Sequence, residues 1–193
     1  INIKENTHIM ERALGYCFKM TYKEYLIKSM NYLSSKKNTI FLGQSVSFSG
    51  NAIFNTLSEI NNNKKIEMPV FEDTQMGFSI GLALKGFVPI SCYPRYDFLV
   101  CASNQLINHL DKIEYLTKRK DVKVIIRTSI GSKTPLDGGP QHTQDHTNGY
   151  KKMLKNINVI KLKNKNDIFS SYKRAYSEPG SFLMVEYGDH YNK

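Results

Sequence analysis

The chain has 193 residues, 40% hydrophobic, 23% charged and 11% aromatic, with a formal net charge of +10. That composition provides one globular core and excludes a disordered, low-complexity chain. Six Pro and 12 Gly exclude a collagenous pattern, and no apolar run reaches the roughly 20 residues that a membrane-spanning helix requires. The opening Ile1 to Met20 mixes charges into its apolar residues and lacks a secretory-signal pattern, so a cytoplasmic address without membrane attachment is expected.

From Thr21, Tyr22, Tyr25, Leu26, Met30 and Leu33 recur near one face, which predicts a helix. Thr39 to Gly43, short, apolar and closed by Gly, reads as a buried strand. Alternation then continues with a helix over about Gly50 to Ile60, a strand near Ile66 to Val70, a helix from Asp73 to Lys85 and a strand from Phe87 to Cys92. A long helix over about Asp97 to Lys118, a strand from Val122 to Thr128, the strand NVIKL, the helix DIFSSYKRAYS and the strand Ser181 to Tyr187 follow. Repeated strand and helix predict an α/β fold, a parallel sheet with helices on both faces. Chemistry in such a sheet lies at the carboxyl ends of the strands. The one long connection, Ser129 to Thr147, is of the length that is often functional.

Cys17, Cys92 and Cys101 form no CxxC pair and suggest neither disulfides nor zinc; buried free thiols are expected. Lysines are dispersed in small groups without an aromatic-interleaved stripe, so no nucleic-acid partner is expected. Two features can carry chemistry. Glu72 stands between a strand and a helix bearing Gly77 and Gly81, where it also suits an ordinary helix N-terminus. His142 lies in GGPQHTQDH, within the long loop at the same sheet edge. His142 and His146 have metal-ligand spacing, yet no third ligand is identifiable and no metal site is expected. P-loop, GxGxxG and GxSxG patterns do not occur.

The order MTYKEYL, IFLG, the Glu72 segment, RYDF, QHTQ and SFLMVEY resembles the pyrimidine-binding domain of thiamine-diphosphate enzymes, as in beta subunits of pyruvate and related 2-oxo-acid dehydrogenases. The resemblance covers about Met20 to Tyr187, leaving residues 1–19 as an N-terminal extension to a transketolase-like domain spanning 20–193. It is carried most specifically by Glu72, Gly77, Phe78, Gly81 and Leu82, with QHTQ (Gln141 to Gln144) second.

The resemblance implies roles. Glu72 would hydrogen-bond a ring nitrogen of the cofactor's aminopyrimidine and promote its imino tautomer. A carboxyl sharing a proton near neutral pH needs its pKa raised from about 4.3, which burial by cofactor and partner provides. Phe98 would pack on the pyrimidine, and His142 would lie near the substrate and handle protons. Thiamine diphosphate and Mg2+ are the implied cofactors, the metal held mainly by an alpha-type partner bearing a GDG sequence absent here. A heterotetramer with a site between subunits is expected, the glycine-bearing helix being a candidate packing surface. The chain departs from the pattern at Gln44, where the family commonly has an acidic residue, and in ending near the pyrimidine domain, so membership of a large dehydrogenase complex is not expected. The alternatives are a non-catalytic module that keeps the fold and a metal-dependent hydrolase.

Overall fold

The computed structural model describes residues 20–134 and 136–191. The proposed extension, residues 1–19, and Cys17 within it lie outside the described residues. The strands are β1 (Thr39–Gly43), β2 (Lys65–Glu67), β3 (Val88–Tyr93), β4 (Ile125–Ile130), β5 (Asn158–Lys161) and β6 (Phe182–Tyr187). All pair in parallel, in the order β2-β1-β3-β4-β6-β5. The helices are α1 (Tyr22–Ser34), α2 (Glu72–Leu84), α3 (Tyr96–Val100), α4 (Ile113–Thr117), α5 (Thr147–Met153) and α6 (Ile168–Ser177). This is the α/β class expected from the alternation.

Both faces of the sheet are covered, which is why the central strands read as nearly unbroken apolar runs. On one face α1 and α6 bury Leu26, Met30, Leu33, Ile168 and Tyr172 against Phe41, Ile90, Ile125, Phe182 and Met184. On the other, α2 and the segments after β3 bury Met76, Ile80, Leu99, Leu106 and Leu110 against Ile126, Leu183 and Val185. Each fully buried Leu, Ile or Phe contributes roughly 1.5–3 kcal/mol. Strand alternation sends Ile125 to the first face and Ile126 to the second. A capping box starts α1, with Glu24 N–H donating to Thr21 Oγ1 at 3.2 Å and Thr21 N–H to Glu24 Oε2 at 2.6 Å. The edges are guarded: β2 is short and stops before Pro69, and β5 exposes Asn158 and Lys161.

The structure corrects four expectations. Gly50 to Ile60 forms turns with one 3-10 turn at Phe54–Thr56. Ile53, Leu57 and Ile60 are buried at helical spacing, but Asn51 Oδ1 accepts from Phe54 N–H at 3.0 Å and Thr56 Oγ1 donates to Ile53 O at 2.7 Å. Such local bonds compete with the helical ladder. Asp97 to Lys118 is broken into α3, a π-helical stretch at Gln105–His109, a 3-10 turn and α4. Ala102, Leu106 and Leu110 recur every fourth residue and all face the sheet, so that stretch must turn more widely than 3.6 residues. A helix, α5, closes the long connection unforeseen. Finally, Cys92 is buried, its thiol pushed up to about 12 by desolvation, whereas Cys101 is exposed at the turn ending α3.

Two charged groups are sunk in this frame. Arg127 and Glu186 are fully buried beneath α1 and α6. Arg127 Nε and Nη2 donate to Glu186 Oε1 and Oε2 at 2.5 and 3.1 Å, and the hydroxyls of Tyr172 and Tyr191 donate to the same carboxylate. Burial and the Glu186 charge push the Tyr172 phenol well up, so it stays a donor. Asp111 is also buried, accepting from Lys155 and Asn156 N–H at 2.9 and 2.8 Å and from Lys112 Nζ at 2.5 Å. Burial opposes its charge, but those donors prevail and hold the carboxyl below the usual range. Its contribution is therefore complete above the unfolded-state value of about 3.9 and is lost as pH falls through the lowered folded-state value. Asp111→Asn should cost about 1.5–3 kcal/mol at neutral pH. Urea titrations across pH should show that gap closing in acid, and a gap independent of pH would refute the linkage.

Candidate functional site

The carboxyl edge of the sheet carries a cavity of about 240 Å³ between the ends of β1, β3, β4 and β6. Its first wall is the turn after β1. Gly43 is required there, because a Cβ would stand 2.3 Å from Cys92 O of the neighbouring strand. Gln44 and Ser45 follow, with Ser45 in the left-handed region at φ 55°. Glu67, at the end of β2, fixes the turn by accepting from Ser45 and Ser47 N–H at 2.5 and 2.8 Å.

The second wall is the segment from Pro94 to Phe98, where β3 ends and α3 begins. Three of its side chains grip the long loop. Arg95 Nη1 donates to Gly131 O at 2.9 Å and to His142 O at 2.8 Å. Asp97 accepts from Gln144 Nε2 at 2.8 Å and from Gln144 N–H at 3.3 Å, and lies 3.2 Å from His146 Nε2. Phe98 meets His142 edge to face, ring centroids 5.5 Å apart at 89°. Gly138 makes the approach possible, since a Cβ there would stand 2.7 Å from His142 Cβ.

Of the three residues named from sequence, Phe98 and His142 are thus in direct contact, both half-buried. Glu72 opens α2 at the same edge, also half-buried. Its backbone carbonyl accepts from Tyr93 Oη at 3.2 Å, while its carboxylate accepts no hydrogen bond from the described residues. Asp73 beside it accepts from Gln105 Nε2 at 3.3 Å. One turn on, Gln75 is the buried polar side chain of α2, donating from Nε2 to Ser91 Oγ at 3.1 Å and Cys92 O at 3.0 Å.

The structure also settles lesser features. His146 immediately precedes α5 and its ring faces Tyr96 and Asp97, so it shares no helix with His142. Among the described residues no three His, Cys, Asp or Glu converge as a metal centre. Gly77 faces Gln105 and a Cβ at Gly81 would meet nothing within 4 Å, so these glycines do not pack against the sheet. The outer side of α2 exposes Phe78, and Phe71 is exposed just before it. No helix of the described residues is long and apolar enough to cross a membrane. Arg95, Asp97 and Gln75 were not singled out from sequence. The RYDF motif contained the first two, but nothing local says that they reach a loop some 36 to 49 residues away.

No protein-family model matches the chain. It is 27% identical over 120 residues to the 3-methyl-2-oxobutanoate dehydrogenase subunit beta of Mycobacterium tuberculosis, a match covering 62% of this chain and 34% of that protein. It is 23% identical over 172 residues to the mitochondrial pyruvate dehydrogenase subunit beta of Saccharomyces cerevisiae, covering 86% and 46%. A split-gene transketolase, solved as an inactive beta4 tetramer, matches with a TM-score of 0.66 at 16% identity, covering 88% of this chain and 52% of that one. The fold is that of a transketolase-like pyrimidine-binding domain. The chain spans about a third to a half of the length of these curated relatives.

Proposed function

We propose that the chain is the pyrimidine-binding, beta-type subunit of a two-chain thiamine-diphosphate-dependent enzyme that decarboxylates a 2-oxo acid or transfers the resulting acyl or ketol unit. The observation that carries this reading is the contact of Phe98 with His142 at the carboxyl-edge cavity of a transketolase-like fold. The residues fit one half of the cofactor. Phe98 offers an aromatic face on which a pyrimidine stacks. Glu72 offers a carboxylate not committed to any hydrogen bond among the described residues, as a group that must exchange a proton with a ring nitrogen requires. The diphosphate and Mg2+ are assigned to an alpha-type partner, since no P-loop, GxGxxG or GDG sequence occurs here and no metal centre forms among the described residues.

Thiamine diphosphate, when bound, supplies the nucleophilic carbon and the electron sink for the 2-oxo acid. This chain's own residues would orient and protonate. Phe98 fixes the plane of the ring, and Glu72 holds the proton shared with it, its carboxyl desolvated once cofactor and partner cover the edge. His142, anchored through its backbone by Arg95, presents its imidazole at the cavity mouth to exchange protons with the substrate. The exposed Phe71 and Phe78 on and beside α2 suit burial against a partner chain, giving a heterotetramer.

Calorimetric titration of thiamine diphosphate with Mg2+ tests the reading, first on the chain alone and then on its mixture with a GDG-bearing chain encoded beside it. Saturable binding only in the mixture is the expected outcome. Equal binding with and without that chain would overturn the shared site, and none in either would favour a module that kept the fold without the chemistry.

A further inference from the structure

Resting on the reading above, we infer that Arg95 receives the carboxylate of the substrate and that the cavity selects a short, polar 2-oxo acid over a branched aliphatic one. Arg95 carries the one charged side chain among the residues lining the cavity. Its Nη1 is spent on Gly131 O and His142 O, which fixes the plane of the guanidinium without neutralising it. Nε and Nη2 donate to no described residue. That free edge is the one this protein uses elsewhere to hold carboxylates. Arg127 binds Glu186 through Nε and Nη2 at 2.5 and 3.1 Å, and Arg119 binds Asp121 through the same two atoms at 3.0 and 2.6 Å. Paired N–H donors from one guanidinium edge match the two oxygens of a carboxylate.

The nearest acidic side chain on the same segment, Asp97, is occupied by Gln144 and His146, and no ion pair joins it to Arg95. The remaining wall is mostly polar, with Gln44, Ser45, Asn51, Ser129 and Ser132 outnumbering Ala52, Pro94 and Phe98. At about 240 Å³ the space is smaller than the roughly 300–1,000 Å³ typical of larger ligands. A branched alkyl group would meet hydroxyl and amide walls and desolvate them without replacing their hydrogen bonds. A short acid loses nothing there and gains the paired donors.

The test is titration of the full chain, and of its mixture with partner and cofactor, with pyruvate, with the neutral methyl ester of pyruvate and with 3-methyl-2-oxobutanoate. Binding is read by protein-observed NMR shifts at the cavity. Pyruvate should bind at least about tenfold more tightly than either competitor, a gap of about 1.4 kcal/mol or more. Arg95→Gln should erase the preference for acid over ester, whereas Arg95→Lys, which keeps the charge but not the fork, should retain part of it. Loss of a loop contact alone would not discriminate an acid from its ester, so that ratio separates binding from support of the loop. Equal affinity for acid and ester in the wild type, or no saturable pyruvate binding in either preparation, overturns the inference. Cofactor binding in the mixture without the acid preference would sink Arg95 and spare the proposed function. Acid preference without cofactor binding would do the reverse.

Discussion

Arg127→Met should lower the stability of this chain by about 3–5 kcal/mol, because it leaves the Glu186 carboxylate in the core without its cation. Both side chains are completely buried, and the pair bridges neighbouring strands β4 and β6 beneath α1 and α6. Tyr172 and Tyr191 would still donate to Glu186, but two neutral donors do not balance a buried charge. For a chain of this size the loss corresponds to a fall of roughly 6–20 °C in Tm. The double replacement Arg127→Met with Glu186→Leu should be less damaging than the first alone, since it removes both charges and the desolvation they suffer. Urea unfolding followed by circular dichroism measures all three. A single variant within about 1 kcal/mol of wild type would show that the charge escapes the core through water or local rearrangement.

Glu72→Gln in the assembled enzyme should reduce turnover by about 10²- to 10⁴-fold, the usual range for loss of a general acid or base. The substitution keeps size and polarity while removing the proton site. Glu72 is half-buried in the first turn of α2, where a negative charge is worth only about 0.3–1 kcal/mol, so the fold should survive. Steady-state turnover beside a thermal melt separates the two effects. Unchanged turnover would remove Glu72 from the mechanism. A folded Gln75→Ala variant is the informative companion, because Gln75 is the buried polar group of the same helix. Turnover that survives Glu72→Gln but fails on Gln75→Ala would move the ring contact one turn along α2.

How much of this was readable in advance depended on whether a residue's surroundings were local. Strands such as Thr39–Gly43 and Phe182–Tyr187 and the helices Glu72–Leu84 and Ile168–Ser177 declare themselves through apolar spacing and turn residues within their own few residues. The segment Gly50 to Ile60 has helical spacing too, yet side-chain bonds from Asn51 and Thr56 divert its backbone. Asp97 to Lys118 kept its apolar stripe on the sheet only by opening one turn into a π-helical stretch. Spacing reports which side faces the core, and does not report how the backbone achieves it.

The order of motifs along the chain placed Phe98 and His142 at one edge before any contact was visible, because parallel α/β topology brings successive strand ends together. The amino-acid sequence by itself determined the α/β class, the resemblance to a pyrimidine-binding domain and the identities of Glu72, Phe98 and His142 as candidates. Only the tertiary structure decided that Arg95 holds the His142 loop while leaving one guanidinium edge free, that Gln75 rather than Glu72 is the buried polar residue of α2, and that Arg127 and Glu186 form a pair 59 residues apart. These depend on distances between strands and loops remote in sequence, and no local pattern of residue types encodes the side-chain directions that set them.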